Sequence, residues 1–275
     1  MSDAVGWSLW VALGLVALAG YQAGIRRAAR RAEGWSRRSR FAFWCGSATM
    51  FIASTPPLVH LAEQGLVVET LQFSVIAFVV APLLVIGQPF ALLWSLRDRA
   101  PRTPASAYRT RAGWEALGLF VATTAAWRLP GAVDAVGASG QWFVLEGLTL
   151  LAGTWWFWSV VLGSRRRDAL EARHLRIALC AIAAWSVWVF AYVVGFAANG
   201  FYPLFARGPS STGAEQAAVV LLWLTSAGSL VPIIFANLSR WLGNETAMAR
   251  SAPEYRGAHA SRAPAGRSRT AGPAT

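Results

Sequence analysis

The chain has 275 residues, of which 55% are hydrophobic and 14% charged, and its mean hydropathy is +0.42. A soluble domain of this length carries roughly a quarter charged residues, so the composition argues against a soluble protein. Every one of the 25 basic residues is arginine, which excludes a retinal Schiff base and a P-loop lysine. The net charge of +12 comes from arginines in loops beside apolar runs, which favours lipid over nucleic acid as the partner of this charge.

Seven apolar runs alternate with short polar loops along the chain. Most approach the ~20 residues that a helix needs to cross ~30 Å of hydrocarbon. The third run contains Pro82 and Pro89 and is predicted to kink or end near Gly87. The sequence therefore predicts an all-α, polytopic membrane helix bundle of seven transmembrane helices, at residues 7–25, 41–61, 66–94, 114–129, 142–163, 175–198 and 217–241.

The arginines are distributed unevenly between the loops. All but Arg128 and Arg207 lie in or at the edges of the loops after the first, third and fifth runs, or at the end of the seventh run and in the tail. The positive-inside rule then predicts an N-terminus outside and a C-terminus in the cytoplasm of a bacterial inner membrane. Residues 1–242 are predicted to form the transmembrane domain. Residues 243–275, rich in Ala, Arg, Ser, Pro and Gly, are predicted to be a disordered, basic cytoplasmic tail.

Three glutamates on the predicted outer side, Glu69, Glu146 and Glu215, each open a helix that runs inward. A charge within a span is expensive and marks a functional candidate. A carboxylate in a first helical turn is also stabilised by the helix dipole, by about 0.3–1 kcal/mol. The capping-box pattern Thr212-x-x-Glu215 favours that second role for Glu215, whereas both roles stay open for the other two. The candidate outer polar site comprises Glu69, Gln72, Arg128, Glu146, Glu215 and Gln216.

Metal ligands and catalytic groups are scarce on the same side. His60 is its only histidine, since His174 and His259 are predicted to be cytoplasmic, so a bis-histidine haem is not expected. Beyond the initiator, no methionine and no cysteine is available there for copper(I). His60, Glu69 and Glu146 are weak metal candidates, and no cofactor is predicted. No nucleophile–base or acid–base pair is visible, so the chain is not predicted to be an enzyme.

Between residues 34 and 241, several different short motifs lie at or near the predicted helix ends. They are Glu69-Thr70-Leu71-Gln72-Phe73 with the run from Ala81 to Pro89, Trp127-Arg128-Leu129-Pro130, Glu146-Gly147 with the run from Gly153 to Trp158, Phe201-Tyr202-Pro203, Glu215-Gln216 and Leu222-Trp223. Their order and spacing resemble the CtaG-type cytochrome c oxidase assembly proteins, which are seven-helix membrane proteins of bacteria.

The resemblance implies a role in oxidase biogenesis, contact with cytochrome c oxidase subunits, and an outer copper site built from histidines. Here the positions that match those histidines carry Glu69, Phe73, Arg128 and Gly147, while the partner residues Gln72, Trp127, Pro130, Glu146, Gln216 and Trp223 remain. The fixed positive charge of Arg128 repels a cation. It is expected to pair with Glu69 or Glu146, and these residues are expected to share one cavity with Glu215.

Three functions remain open from the sequence. The leading hypothesis is an oxidase-assembly protein that acts by protein contact, or through a changed site, instead of histidine-based copper transfer. The second is a transporter or permease that uses the outer glutamates and Arg128 as a substrate or proton site. The third is an accessory structural subunit of a respiratory complex. The expected partners are the lipid bilayer and oxidase subunits, and no nucleic acid is expected.

Overall fold

The computed structural model describes residues 2–30, 36–89, 106–138, 140–162, 170–196, 202 and 211–260. Within these ranges the chain forms helices and no strand, so the all-α prediction is confirmed for this part of the protein. The elements are α1 (Ser2–Arg30), α2 (Arg37–Ala53), α3 (Pro56–Gln64), α4 (Leu66–Val75), a π-helical turn (Ile76–Val80), α5 (Ala81–Gly87), α6 (Ser106–Trp127), α7 (Pro130–Ala138), α8 (Gly140–Leu162), α9 (Leu170–Gly195) and α10 (Ser211–Ala260).

Several helices have the length and surface of membrane spans. Among the described residues, four stretches are long and apolar enough to cross a bilayer: Leu66–Gly87, Gln141–Leu162, Arg173–Gly195 and Gly213–Gly243. A fifth arises if α6 and α7, bent by 68°, form one broken span. Large apolar side chains such as Trp185 lie exposed on these helices, as expected of surfaces that face lipid. The predicted spans at 7–25 and 41–61 are not among these five.

The predicted second span is divided in two. Helix α2 ends at Ala53, and α3 begins at Pro56. Thr55 is held in an extended conformation (φ −69°, ψ 143°), because a residue that precedes proline is disfavoured in the helical region. The continuous helix predicted over 41–61 is therefore wrong, and α3 packs as a separate short helix against α4.

The third apolar run forms a helix that contains a π-helical turn. Ala81 N–H donates to the Ile76 carbonyl, five residues back, and Pro82 in the next position supplies no donor. The helix ends at Gly87, where Gln88 adopts a left-handed conformation (φ 55°). The predicted end near Gly87 is confirmed. The rest of the predicted run, 90–94, lies outside the described residues.

The later helices follow the predicted runs with shifted ends. Helix α6 stops at Trp127, shortly before Pro130 starts α7. Helix α10 continues to Ala260, past residue 243, where the disordered tail was predicted to start. Alanine, glutamate and arginine, all good helix formers, recur in that extension. Residues 261–275 lie outside the described part of the chain, so the division into domain and tail stays a prediction.

The bundle core brings the central helices together beneath the polar end. Helices α6 and α8 pack against each other, as do α9 and α10, and α10 also lies against α4. The fully buried side chains include Phe78, Phe120, Phe157 and Trp158. The ring centres of Phe120 and Phe157 lie 4.5 Å apart. This apolar packing fixes the ends of α4, α6, α8 and α10 relative to one another.

Candidate functional site

Arg128 lies at the centre of a buried polar cluster at one end of the bundle. Its backbone leaves α6 because Pro130 cannot continue that helix. The residue is only 3% exposed. Nη1 donates to both carboxylate oxygens of Glu69, at 2.8 and 2.7 Å, and Nη2 donates to Thr70 Oγ1 at 3.2 Å. The ion pair therefore fastens the end of α6 to the first turn of α4.

Two aromatic rings cover the guanidinium group. Its Cζ lies 4.9 Å from the ring centre of Phe73 and 5.5 Å from that of Tyr202, distances at which a cation is attracted to a ring face. Burial raises the pKa of Tyr202, so its phenol stays protonated and donates to the Arg128 carbonyl at 3.0 Å. Arg128 is thus held by its side chain and by its backbone.

Glu215 and Gln72 connect further segments to this cluster. Glu215 Oε1 accepts a hydrogen bond from the backbone N–H of Tyr202 at 3.2 Å, which joins the first turns of α10 to the segment before it. Gln72 Nε2 donates to the Ala53 carbonyl, the last residue of α2. The side chains of this end therefore link α2, α4, α6 and α10.

Glu146 is a buried carboxyl of the cluster, and one of its oxygens lacks a hydrogen-bond partner. It is 7% exposed and lies in α8. In the described structure its Oε1 has no hydrogen-bond partner, although the charges of Glu69 and Arg128 act on the group. Glu146, Glu69 and Gln72 line one small cavity of about 20 Å³, with Glu63 of α3 also on its wall. That volume holds about one water molecule.

The structure brings together most of the predicted polar site. The expected ion pair is confirmed, because Arg128 binds Glu69. The four charged residues do not line one cavity of the two described: Glu69 and Glu146 line the first, Arg128 lines a second with Phe73 and Leu222, and Glu215 lines neither. Gln216 is exposed, and Arg207 lies outside the described part. Whether these residues form a functional site stays a prediction.

Two members of the cluster were not predicted as site residues. Tyr202 was noted only as part of a Tyr-Pro motif, and Thr70 only as a neighbour of Glu69. Neither side chain is ionised, so the search for charged groups within apolar runs passed over both. The signal that was available for Tyr202 is its place, beside a proline, in a loop that leads into the predicted seventh span.

The residues of the cluster do not fit a copper ion. Copper(I) prefers thiolate, thioether or imidazole ligands, whereas this end offers carboxylates, an amide and a guanidinium. His60 is exposed on α3 and hydrogen-bonded to Glu63 at 3.2 Å and Gln64 at 2.8 Å, in its own helix. Within the described ranges, no three His, Cys, Asp or Glu side chains come together in a group that could hold a metal.

Four or five stretches of the described chain are long and apolar enough to cross a bilayer, as in helical membrane proteins, and a buried ion pair lies at one end of the bundle. The family model of the cytochrome c oxidase caa3 assembly factor (Caa3_CtaG) matches residues 19–244. The chain belongs to this family of oxidase assembly factors. Searches of the curated proteins and of the solved structures found no match to this chain.

Proposed function

We propose that this protein supports the biogenesis of a respiratory oxidase by contact with oxidase subunits, and that it does not deliver copper through its buried cluster. The observation that carries the proposal is the buried ion pair in which Arg128 Nη1 donates to both carboxylate oxygens of Glu69. The two residues stand at positions that match copper-binding histidines in the resemblance. The guanidinium of Arg128 therefore already binds the Glu69 carboxylate, where a metal ion would otherwise bind. Membership of the assembly-factor family supports the oxidase part.

Electrostatics supports the loss of copper transfer. Arg128 carries a permanent positive charge that Glu69 neutralises. A metal ion bound at the Glu69 carboxylate would lie beside the charge of Arg128. Two like charges ~4 Å apart repel by roughly 4 kcal/mol at an effective dielectric constant of 20. Glu146 and Gln72 remain as oxygen ligands, but these prefer hard cations to copper(I).

Copper content tests this part of the proposal. We expect well below one copper per chain in the wild-type protein after copper loading and removal of excess metal. The combined variant Glu69→His, Phe73→His, Arg128→His and Gly147→His should gain affinity, because it introduces four imidazoles. It also removes both partners of the buried pair, so no uncompensated charge remains from that pair. Metal analysis of both proteins is the measurement. About one tightly held copper per wild-type chain would refute the proposal.

Association with the oxidase tests the other part. A strain that lacks the gene should contain less assembled oxidase, and the wild-type gene should restore it. The tagged protein should co-purify with oxidase subunits from mildly solubilised membranes. A gene with the single change Arg111→Gln, which alters only an exposed pair on α6, should also restore the oxidase. Normal oxidase in the deletion strain together with solute flux in liposomes would favour a transporter instead.

We also propose that the chain crosses a bacterial inner membrane seven times, with its C-terminus in the cytoplasm. Arg128 at the end of α6 binds Glu69 near the start of α4, Tyr202 connects Arg128 to Glu215 near the start of α10, and Glu146 near the start of α8 lines a cavity with Glu69. These contacts support alternate crossings. At the other end, Arg173 near the start of α9 donates to the Arg240 carbonyl at 3.1 Å. A reporter fused after Arg250 should lie in the cytoplasm, and one inserted within 203–212 should lie outside. Both reporters on one side would contradict seven crossings.

A further inference from the structure

A cluster of arginines lies where α1 ends and α2 begins. Residues 26–40 contain seven arginines and a single acidic residue, Glu33. Six of these arginines belong to the two described helices and are exposed, and they are called the junction arginines below: Arg26, Arg27, Arg30, Arg37, Arg38 and Arg40. The ion pairs found within the described ranges involve none of them. The described part of the chain therefore does not neutralise their charge.

Tyr21 joins the two helices at the end of an apolar stretch that is long enough to cross a bilayer. Its hydroxyl lies 3.4 Å from the carbonyl oxygen of Ser39 and 3.2 Å from that of Gly87. Its ring stacks on that of Phe43, with the ring centres 3.5 Å apart. Gly87 is the last residue of the stretch Leu66–Gly87. These contacts place the junction arginines near the surface of the bilayer that this stretch would cross.

Gly87 allows this close packing because it has no side chain. A Cβ atom at that position would lie 2.7 Å from the Cβ of Phe43, which is closer than two carbon atoms can approach. Tyr21 and Phe43 are both buried. The start of α2 is therefore held rigidly against the end of α5, and the arginines extend from a fixed part of the backbone.

Exposed aromatic side chains accompany the arginines on α2. Phe41 is 72% exposed and Trp44 is 41% exposed, and aromatic residues of membrane proteins are enriched at the interface between headgroups and hydrocarbon. The first turn of α2 is already capped, because Ser36 Oγ accepts a hydrogen bond from Ser39 N–H at 3.0 Å. The charge at this surface thus comes from guanidinium groups, and apolar rings lie directly beside it.

From this combination of charge, position and aromatic rings we infer that the α1–α2 junction binds the headgroup of an anionic phospholipid. Guanidinium groups form paired hydrogen bonds with phosphate oxygens. Clusters of roughly four to eight basic residues directly beyond a membrane helix attract anionic lipid. Phe41 and Trp44 would contact the upper part of the acyl chains, which a free phosphate ion lacks. The inference goes beyond the proposed role in oxidase biogenesis and does not depend on it.

Thermal unfolding of the full-length protein in detergent micelles tests the inference. Phosphatidylglycerol is added to one sample and phosphatidylcholine with the same acyl chains to another. We expect phosphatidylglycerol to raise the unfolding temperature by about 3–5 °C for each tenfold increase above its dissociation constant, and phosphatidylcholine to have little effect. Inorganic phosphate at the same concentration should not reproduce the rise. Native mass spectrometry should show phosphatidylglycerol retained on the protein.

Matched triple variants locate the binding. The junction variant Arg37→Gln, Arg38→Gln and Arg40→Gln should weaken phosphatidylglycerol binding about a hundredfold, at about fivefold for each arginine near an anionic surface. The control variant Arg262→Gln, Arg267→Gln and Arg269→Gln removes the same charge from the tail and should bind like the wild type. Lysine at positions 37, 38 and 40 should recover most of the affinity, because an ammonium group also binds phosphate.

Three results would overturn the inference. The first is an equal response of the wild type to phosphatidylglycerol and phosphatidylcholine, which would mean that the charge of the headgroup is not recognised. The second is an equal loss in the junction and tail variants, which would mean that net charge and not this surface attracts the lipid. The third is full competition by inorganic phosphate, which would indicate a general anion site instead of a lipid site.

Discussion

Replacement of Arg128 by glutamine is expected to lower the free energy of unfolding by about 3–5 kcal/mol, the range seen when one partner of a buried ion pair is removed. Arg128 is 3% exposed, so water cannot replace the lost guanidinium. The substitution leaves Glu69 as an uncompensated carboxylate and removes the donor to Thr70. Both cation–π contacts, with Phe73 and Tyr202, are lost as well.

A double-mutant cycle separates the pair from its surroundings. Glu69→Gln alone should destabilise the protein comparably, because it leaves Arg128 without a counter-charge. The double variant should lose clearly less than the sum of the two, since neither unpaired charge then remains. Arg111→Gln removes an exposed pair with Glu115 on one helix and should change stability by no more than about 0.5 kcal/mol. Additive losses in the cycle, measured by denaturant unfolding in detergent, would mean that the pair is not coupled.

The second large effect is expected at Trp158, which completes the π-helical turn. Ala81 N–H donates to the Ile76 carbonyl instead of to that of Ala77. The Ala77 carbonyl therefore accepts from Trp158 Nε1 of α8, at 2.8 Å. The Phe78 carbonyl lies four residues before Pro82, which has no N–H, and it accepts from Ser229 Oγ of α10 at 2.7 Å. Two neighbouring helices thus satisfy the carbonyls that the turn and Pro82 release.

Trp158→Phe is expected to lower the free energy of unfolding by about 2–4 kcal/mol. The sum combines a buried carbonyl without a donor, about 1–3 kcal/mol, with a cavity where the larger ring was. Trp185→Phe is the matched control, because that indole is 67% exposed on α9; it should change stability by less than about 0.5 kcal/mol. Both variants are measured under the same unfolding conditions. Equal effects at Trp158 and Trp185 would show that the bond to Ala77 does not stabilise the turn.

The polar cluster shows how far residue types alone can lead. A charged residue inside an apolar run needs a partner, so the sequence was sufficient to expect an ion pair between Arg128 and an outer glutamate. The choice between Glu69 and Glu146 depends on how α4 and α8 are rotated against the end of α6. That rotation is set by distant core contacts, such as the one between Phe120 and Phe157, which no local pattern encodes.

The backbone divides in the same way. Hydropathy and the positions of proline and glycine determined by themselves that the chain is helical, apolar on its surface and broken near Gly87, because these are local properties of each segment. The π-helical turn, the neutralisation of Glu69 but not of Glu146, and the anchoring of Arg128 by Tyr202 were decided only by the tertiary structure. Each of these requires a donor or acceptor from an element far away in the sequence, as when Ser229 binds the Phe78 carbonyl 151 residues before it. A buried polar group is stable only with such a partner, and the partner is defined only when the helices pack.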